Sequence, residues 1–483
     1  MSFLEQSANR GSVSTGFSID YSCQFESSSS HRMYMTPDST SSSADRKKGT
    51  LSFWIKRTKL DVNGQRIFNF GEREGYDSRL FLRFLSNDYL HFYPIVTWTT
   101  AKEFSDPAAW YHIVIFFDTT QAEQSSGSNH ANGNNAQTGV WINGIRLDDD
   151  TGLPAANTAG RTQNSVSGWG RDIHKHGIGY DYHDSTGQGD FYLAEFHAVQ
   201  GLAMGAENFG EFDEDSGIWK PKKYSGGHGT NGFYLKFDDS SDMGKDSSGE
   251  SNDFTLSNMS ASNQATDSPT NNFNVMTPLI TYGYPTTLTH GNTKVTDNSS
   301  GFGGAASNFA MMDGKWYWEF KSSSSATFVG VQGTEAEVQT NNNAHEFPPT
   351  MGIYLGGPYN YAMDSGGQRN DGSISLSFSS SDIYGVALDL DNNTIKYYQN
   401  NTQRGSTFSL DEVGTGAGYA HGQGGYMLRP WVATQGTVEM NFGGYTSMTI
   451  SSAASDANGY GTFEYAPPSG YYALCTKNIA EYG

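Results

Sequence analysis

The stretch DGKWYWEFK, Asp313 to Lys321, alternates bulky and polar side chains residue by residue. A period of two belongs to a strand with one buried face, whereas a helix repeats every three to four residues. Trp316, Trp318 and Phe320 are expected on the core side, with Tyr317, Glu319 and Lys321 opposite. YGVALDLDNNTIKYYQN, Tyr384 to Asn400, runs the same alternation into Asp391-Asn392-Asn393 and out through Ile395 and Tyr397, which predicts a hairpin on an Asn-rich turn. RPWVATQGTVEMNFG, Arg429 to Gly443, adds further strand pattern. The C-terminal part therefore reads as an antiparallel sandwich with variable loops, an object suited to binding.

The N-terminal part repeats the pattern. GTLSFWIKR (Gly49 to Arg57) alternates, and AWYHIVIFFDTT (Ala109 to Thr120) is apolar on both faces, as a central strand should be. In GVWINGIRL (Gly139 to Leu147), Asn143-Gly144 separates two alternating runs; a type I′ turn needs positive φ at both residues, which Asn and Gly tolerate. DFYLAEFHAVQG (Asp190 to Gly201) predicts a core face of Tyr192, Ala194, Phe196 and Ala198 against Phe191, Leu193, Glu195 and His197.

Composition agrees with short strands and tight turns: 57 Gly, 14 Pro and 14% aromatic residues in 483. The fold class is all-β, two antiparallel β-sandwich (jelly-roll) domains in tandem with an N-terminal arm. Residues 1–15 form an attachment arm, 16–212 the first sandwich and 213–280 a connector whose strand 231–239 returns to that sandwich. Residues 281–483 form the second. The formal net charge of −21 argues against nucleic acid, which is held by Lys and Arg on phosphates; no window supplies a basic patch. MSFLEQSANRGS lacks the basic and apolar regions of a signal peptide, and no run approaches 18 apolar residues, so neither secretion nor membrane insertion is expected. Cys23 and Cys475, near opposite ends, offer no disulfide framework and read as inert thiols.

A resemblance rests on specific wording. LSFWIKR, DPAAWYHIVIFFDTTQ, GVWINGIRL, FYLAEFHAVQGLAM, SGIWKPKKYSG, GTNGFYLKFDDSS and TDSPTNNFNVMTPL, between Ser18 and Leu279, resemble the concanavalin A-like, laminin-G-type jelly roll of large marine bacteriophage virion proteins. GKWYWEF, VGVQG, IYGVALDLDNNTIKYYQNN, LRPWVATQGTVEMNFGG and PPSGYYALCTKN, within 281–483, resemble the SPRY (B30.2-type) sandwich. The resemblance implies a phage virion protein, made in the host cytoplasm without a signal peptide and carried on the tail or capsid surface. It further implies a tail fibre or receptor-binding appendage; a head-decoration subunit and a glycan-degrading enzyme are the alternatives.

Candidate sites follow from loop composition. NNNAHEFPPT (Asn341 to Thr350), GGPYNYAMDSGGQRNDG (Gly356 to Gly372) and GTGAGYAHGQGGYM (Gly414 to Met427) are loops rich in Gly, Asn and aromatic residues, as binding surfaces are. Tyr359, Tyr361, Tyr419, His421 and His345 are the ligand-binding candidates, through ring stacking on sugars. No catalytic residue is assigned. EFDEDS (Glu211 to Ser216) starts like a glycosidase carboxylate motif but ends in serine, leaving no second carboxylate; it reads as an acidic turn. G-x-S-x-G is absent.

No cofactor is required, calcium being the one candidate, loosely held by Asp148, Asp149, Asp150, Asp181, Asp184 and Asp190. His174, His176 and His183 alternate too, but no spacing fixes a fourth metal ligand. The expected partners are other virion proteins, through the arm, and a host cell-surface glycan or protein; the expected assembly is a homotrimer. An acidic chain gains no steering toward an anionic envelope, so a divalent-cation bridge, lost in chelator, is the expected remedy.

Overall fold

The computed structural model describes residues 16–71, 79–94, 97–122, 137–147, 158–159, 162–182, 184–297, 299, 301–334, 350–357, 359–364, 367–410 and 427–483. The chain divides into two compact units, Met1–Thr270 and Asn271–Gly483. Both are β-sandwiches. Among the described residues no helix is long and apolar enough to cross a membrane; the one α-helix is Thr476–Tyr482.

In the first unit one sheet runs, in spatial order, Ile145–Arg146, Thr138–Ile142, Trp110–Asp118, Lys48–Arg57, Phe191–Gln200, Ser22–Phe25 and Gln264–Ala265, with Phe233–Leu235 also on Phe191–Gln200. Trp110–Asp118 is central, apolar on both sides as its composition requires. The facing sheet runs Thr158–Ala159, Thr97–Glu103, Tyr89–Pro94, Leu80–Phe84, Gln65–Phe70, His176–Ile178, Arg32–Met35 and Thr255–Ser257. Rings interlock within and between the sheets: Phe53 lies 5.0 Å from Phe196 on the neighbouring strand and 6.4 Å from Phe68 on the facing sheet. Each such fully buried ring stabilises the fold by about 1.5–3 kcal/mol.

Two expectations need correction here. The face assigned to Phe191–Gln200 holds for only half the strand, because the register shifts between Ala194 and His197 and Glu195 takes a positive φ of 50°. A bulge adds one residue and reverses the alternation. The core side is therefore Phe191 and Leu193 before the bulge and Phe196 and Ala198 after it, while Tyr192 and His197 face outward with the aromatic groups beyond the sheet. The 213–280 segment is likewise no single connector. Besides Phe233–Leu235, strands Thr255–Ser257 and Gln264–Ala265 join the two sheets of the first unit, and the division between units falls at 270/271.

The Asn143-Gly144 turn has φ of 49° and 78°, joining Thr138–Ile142 to Ile145–Arg146. Asn143 also ties the hairpin to the central strand: its backbone N–H donates to His112 O and its side-chain Oδ1 accepts the His112 backbone N–H, at 2.9 and 2.8 Å.

In the second unit one sheet runs Met276–Gly283, Gly303–Ser307, Leu428–Thr434, Thr327–Gly333, Thr350–Tyr354, Tyr359–Asp364 and Gly367–Ser373. The other runs Thr286–Thr289, Lys294–Asp297, Thr437–Asn441, Lys315–Ser322, Tyr384–Asp389, Thr394–Gln399 and Thr402–Ser409, with Tyr472–Ala473 on Lys315–Ser322. Trp316, Trp318 and Phe320 enter the core. The opposite face is buried too, because Phe463, Tyr471 and Ala473 pack on Tyr317. Glu319 on that face accepts backbone N–H groups of Glu464 and Tyr465 and the Asn441 amide at 2.8, 2.8 and 3.2 Å, and the Tyr317 hydroxyl at 3.2 Å. Burial raises its pKa while these donors oppose the rise. Asn393, with φ of 52°, turns the expected hairpin between Tyr384–Asp389 and Thr394–Gln399.

Candidate functional site

Of the loop candidates, His345, Tyr419 and His421 lie outside the described residues. Tyr359 and Tyr361 belong to a strand: Tyr359–Asp364 pairs with Thr350–Tyr354 on one side and with Gly367–Ser373 on the other. The segment expected to be a loop over 356–372 is thus largely a hairpin extending the sheet edge, and its Gly and Asn content misled because an edge hairpin uses the same residues for its turn.

Of the calcium candidates, the three that are described have donors of the chain as partners, and Asp181 and Asp184 share Arg66 and Arg79. Asp148, Asp149 and Asp150 lie outside the described residues. Asp181, fully buried, accepts from Arg66 Nε at 3.1 Å and Asn69 Nδ2 at 2.9 Å, and Asp184 accepts from Arg79 Nη1 at 2.9 Å. Asp190 accepts from the Ser27 N–H and hydroxyl. Guanidiniums and local donors occupy these carboxylates, and among the described residues no group of three or more His, Cys, Asp or Glu is placed to hold a metal. His183 is outside the described residues; His176 stacks on Phe70 at 5.4 Å and accepts the Gly170 N–H. Burial lowers its pKa to about 3. EFDEDS forms a small hairpin, Gly210–Phe212 on Trp219–Pro221, with Asp213 bonded to Ser216 and Lys220. Burial raises the pKa of both Cys23 and Cys475, the latter to about 12, so both remain thiols.

The structure instead builds two clusters on the first sandwich, one on each outer face. On the sheet of Lys48–Arg57, residues from the 205–234 segment form a roof. His112 is sandwiched by Trp54 at 4.7 Å and Trp219 at 5.9 Å. The Trp219 indole N–H, which can only donate, meets His112 Nδ1 at 2.9 Å. The ring proton therefore sits on Nε2 and is donated to Ser52 Oγ, 2.9 Å away. Burial, then His197, lowers the His112 pKa to about 3. With its Nε2 lone pair absent, this histidine cannot take a proton from Ser52, so the pair does not supply a nucleophile.

Beside it, His197 stacks on Tyr234 at 3.9 Å and meets His228 Nε2 through Nδ1 at 3.1 Å. Its Nε2 lies 3.4 Å from Glu195, which also receives the Tyr234 hydroxyl at 2.6 and 2.8 Å. The bulge turns this network outward, since unbroken alternation would leave Glu195 and His197 on the core side with Phe191 and Leu193. The small, partly open cavity lined by Ser52, Trp54, His112, Glu195, His197 and Phe209 among others has a volume of about 10 Å³, the space of about one water molecule. No sugar fits there.

The facing sheet is different. Arg66 stands opposite Arg83, Arg83 opposite His91, and His91 opposite Thr99; Asn69, Phe81 and Tyr93 form the next row. The Phe81 ring is covered by three guanidiniums, with Arg66, Arg79 and Arg83 at 4.1, 5.2 and 5.6 Å from its centroid. His91 stacks with Tyr93 at 6.1 Å and 20°. Burial, then Arg83 and Arg66, lowers the His91 pKa to about 4, so it stays neutral at pH 7. Farther along, Tyr182 lies over Gly177, where an added Cβ would meet its ring at 2.7 Å, and Lys175 sits 4.3 Å from the Tyr34 ring.

Arg66 and Arg79 pair with Asp181 and Asp184. Among the described residues Arg83 has no carboxylate within ion-pair distance, and Arg66 Nη1 and Arg83 Nε are buried without an acceptor. Sequence reading missed this basic cluster because it was sought as a contiguous run. The available signal was Arg79, Phe81 and Arg83 at alternate positions of RLFLRF, which a strand presents on one face.

No family model matches the chain, and no curated protein matches it. Solved structures similar to it include the SPRY domain of human HERC1 (16% identity, 36% of this chain and 99% of that one, TM-score 0.25). They also include domains LG4-5 of mouse laminin alpha1 (10%, 95% and 97%, TM-score 0.28) and the carbohydrate-binding module CBM66 from Bacillus subtilis (8%, 32% and 84%, TM-score 0.22). The assignment to β-sandwiches rests on the sheets themselves.

Proposed function

We propose that the chain is a non-enzymatic bacteriophage virion protein, a tail fibre or receptor-binding appendage that holds a host-surface glycan or protein. The observation that carries this reading is the face where His91 and Tyr93 lie partly exposed beside three arginines packed on the buried Phe81 ring; partly exposed rings and unanswered donors are what a ligand surface needs and a folding core does not. A flat, partly exposed ring pair beside guanidinium donors suits a saccharide. Attachment to other virion proteins through residues 1–15, and a homotrimer that multiplies weak sites, belong to the same proposal. So does the absence of a cofactor.

The test is competition: purified chain added to susceptible cells is expected to block phage adsorption, with no new reducing ends released from envelope polysaccharide. Failure to compete at saturating protein overturns receptor binding, and release of reducing ends overturns the non-enzymatic reading. Deleting residues 1–15 is expected to abolish incorporation into particles while leaving the adsorption block intact.

A further inference from the structure

Resting on that binding reading, we infer that the open face of the first sandwich selects acidic saccharides, a carboxylate or sulfate on a pyranose ring docking against Arg83 and Arg79 while the ring lies along Tyr93 and His91. Three observations converge on it. The first is charge: in a chain of formal net charge −21, one patch of sheet assembles Arg66, Arg79 and Arg83 around a single phenyl ring. The described carboxylates facing them are two, Asp181 and Asp184. Among the described residues, three cations against two anions leave one positive charge, and geometry puts it on Arg83.

The second is unsatisfied bonding. The Arg66 side chain is only 6% exposed, yet among the described residues its Nη1 has no acceptor, nor has Arg83 Nε. Buried donors are nearly always paired in folded proteins, and an anion at Arg83 is the partner of matching charge. A guanidinium offers a planar fork to carboxylate or sulfate oxygens. The third is shape: the His91–Tyr93 pair is stacked and half-exposed, a flat apolar strip next to the cation, which suits a sugar ring. A nucleic acid would need many phosphate contacts spread along the surface, which one surplus charge on an acidic protein does not provide.

This replaces the divalent-cation bridge expected from sequence. An arginine cluster draws an acidic ligand directly, without a metal.

The test is calorimetric titration of the full chain with tetragalacturonate, a heparin-derived tetrasaccharide and neutral galactotetraose. At least one charged probe is expected to bind tenfold or more tighter than the neutral one, the two charged arms separating carboxylate from sulfate, with affinity unchanged in EDTA. Arg83→Gln is expected to weaken charged-probe binding at least tenfold, and Arg83→Lys, which keeps charge but not the fork, to fall between; thermal melts of both variants check folding. Equal affinity for charged and neutral probes, no binding of either charged probe, loss of binding in EDTA, or a folded Arg83→Gln chain that binds like the unaltered one each overturns the inference. The adsorption assay separates the two layers: if the unaltered chain blocks phage and Arg83→Gln blocks equally well, acidic selection at Arg83 fails while receptor binding stands. If the unaltered chain does not block at all, the receptor reading itself fails.

Discussion

The two outer faces of the first sandwich carry similar materials, aromatic rings, histidines and long cationic side chains, and finish them differently. Beneath the 205–234 roof, His112, His197, His228, Glu195 and Tyr234 all find partners within the chain. Across the sandwich, Arg66 Nη1, Arg83 Nε and Asn69 Oδ1 are enclosed without partners among the described residues. A polar face completed by its own chain is a structural device, since it gains its stability from being closed. A face left with surplus donors is not explained by stability, which an apolar surface would serve as well. The contrast directs attention away from the histidine cluster, although its residue types look more like chemistry.

Acid should separate the faces most strongly. His112 is fully enclosed under the roof and His176 fully enclosed beside Phe70, each with a pKa lowered by burial to about 3. Unfolded histidine titrates near 6.5. Above that pH neither state binds the proton, and below it the unfolded chain gains protons that the folded one refuses. Stability therefore falls as pH drops from about 6.5 toward 3, by about 1.4 kcal/mol per pH unit for each ring. Two rings make the loss comparable with the whole stability of a domain, about 5–15 kcal/mol, before pH 4. Thermal melts across pH 7.5 to 4 should show the first unit's midpoint collapsing, and because His91 and His228, both lowered to about 4, also refuse protons over most of this range, His112→Gln should flatten the slope by about a quarter. A midpoint level down to pH 4 would show the roof to be wetter than its geometry implies.

The next largest effect lies at the edge of the same covered face. Lys56 Nζ is 2.8 Å from Asp267 Oδ2, both side chains almost wholly enclosed, and Trp110 Nε1–H also donates to that carboxylate at 3.1 Å. Removing one member of such a pair strands a buried charge, costing about 3–5 kcal/mol. Asp267→Ala should lower the denaturant midpoint of the first unit accordingly, while Lys56→Met combined with Asp267→Leu should recover most of the loss. If the single variant unfolds like the unaltered chain, Lys56 reaches water when unpaired.

Much of this architecture was legible as period two. DGKWYWEFK sends its Trp residues inward, Asn143-Gly144 makes the hairpin its φ preferences demand, and the apolar-on-both-sides strand is central. What was not legible depends on departures from period and on partners distant in sequence. One positive φ at Glu195 reverses the faces of a strand whose alternation looks uninterrupted, and no local rule marks glutamate as a bulge residue. Asp181 reads as a metal ligand until Arg66, 115 positions away, is found beside it. Arg83 and Arg66 become neighbours only through strand register.

The smallest effect is the sharpest division between the faces. Arg83 is half-buried, holds no ion pair among the described residues and sits beside two other guanidiniums, with burial, then Arg79, lowering its pKa. Taking its charge away relieves repulsion and sacrifices packing on Phe81, two small opposing terms, so Arg83→Gln should shift stability by no more than about 0.5 kcal/mol. If its role is to meet an anion, the same substitution should abolish most charged-saccharide binding, so that affinity falls while the melting curve stays in place. The roof offers no such substitution among His112, His197, His228, Glu195 and Tyr234, because each of these is bonded into the fold. Should Arg83→Gln instead cost several kcal/mol, the open face would be as structural as the covered one, and the distinction between them would collapse.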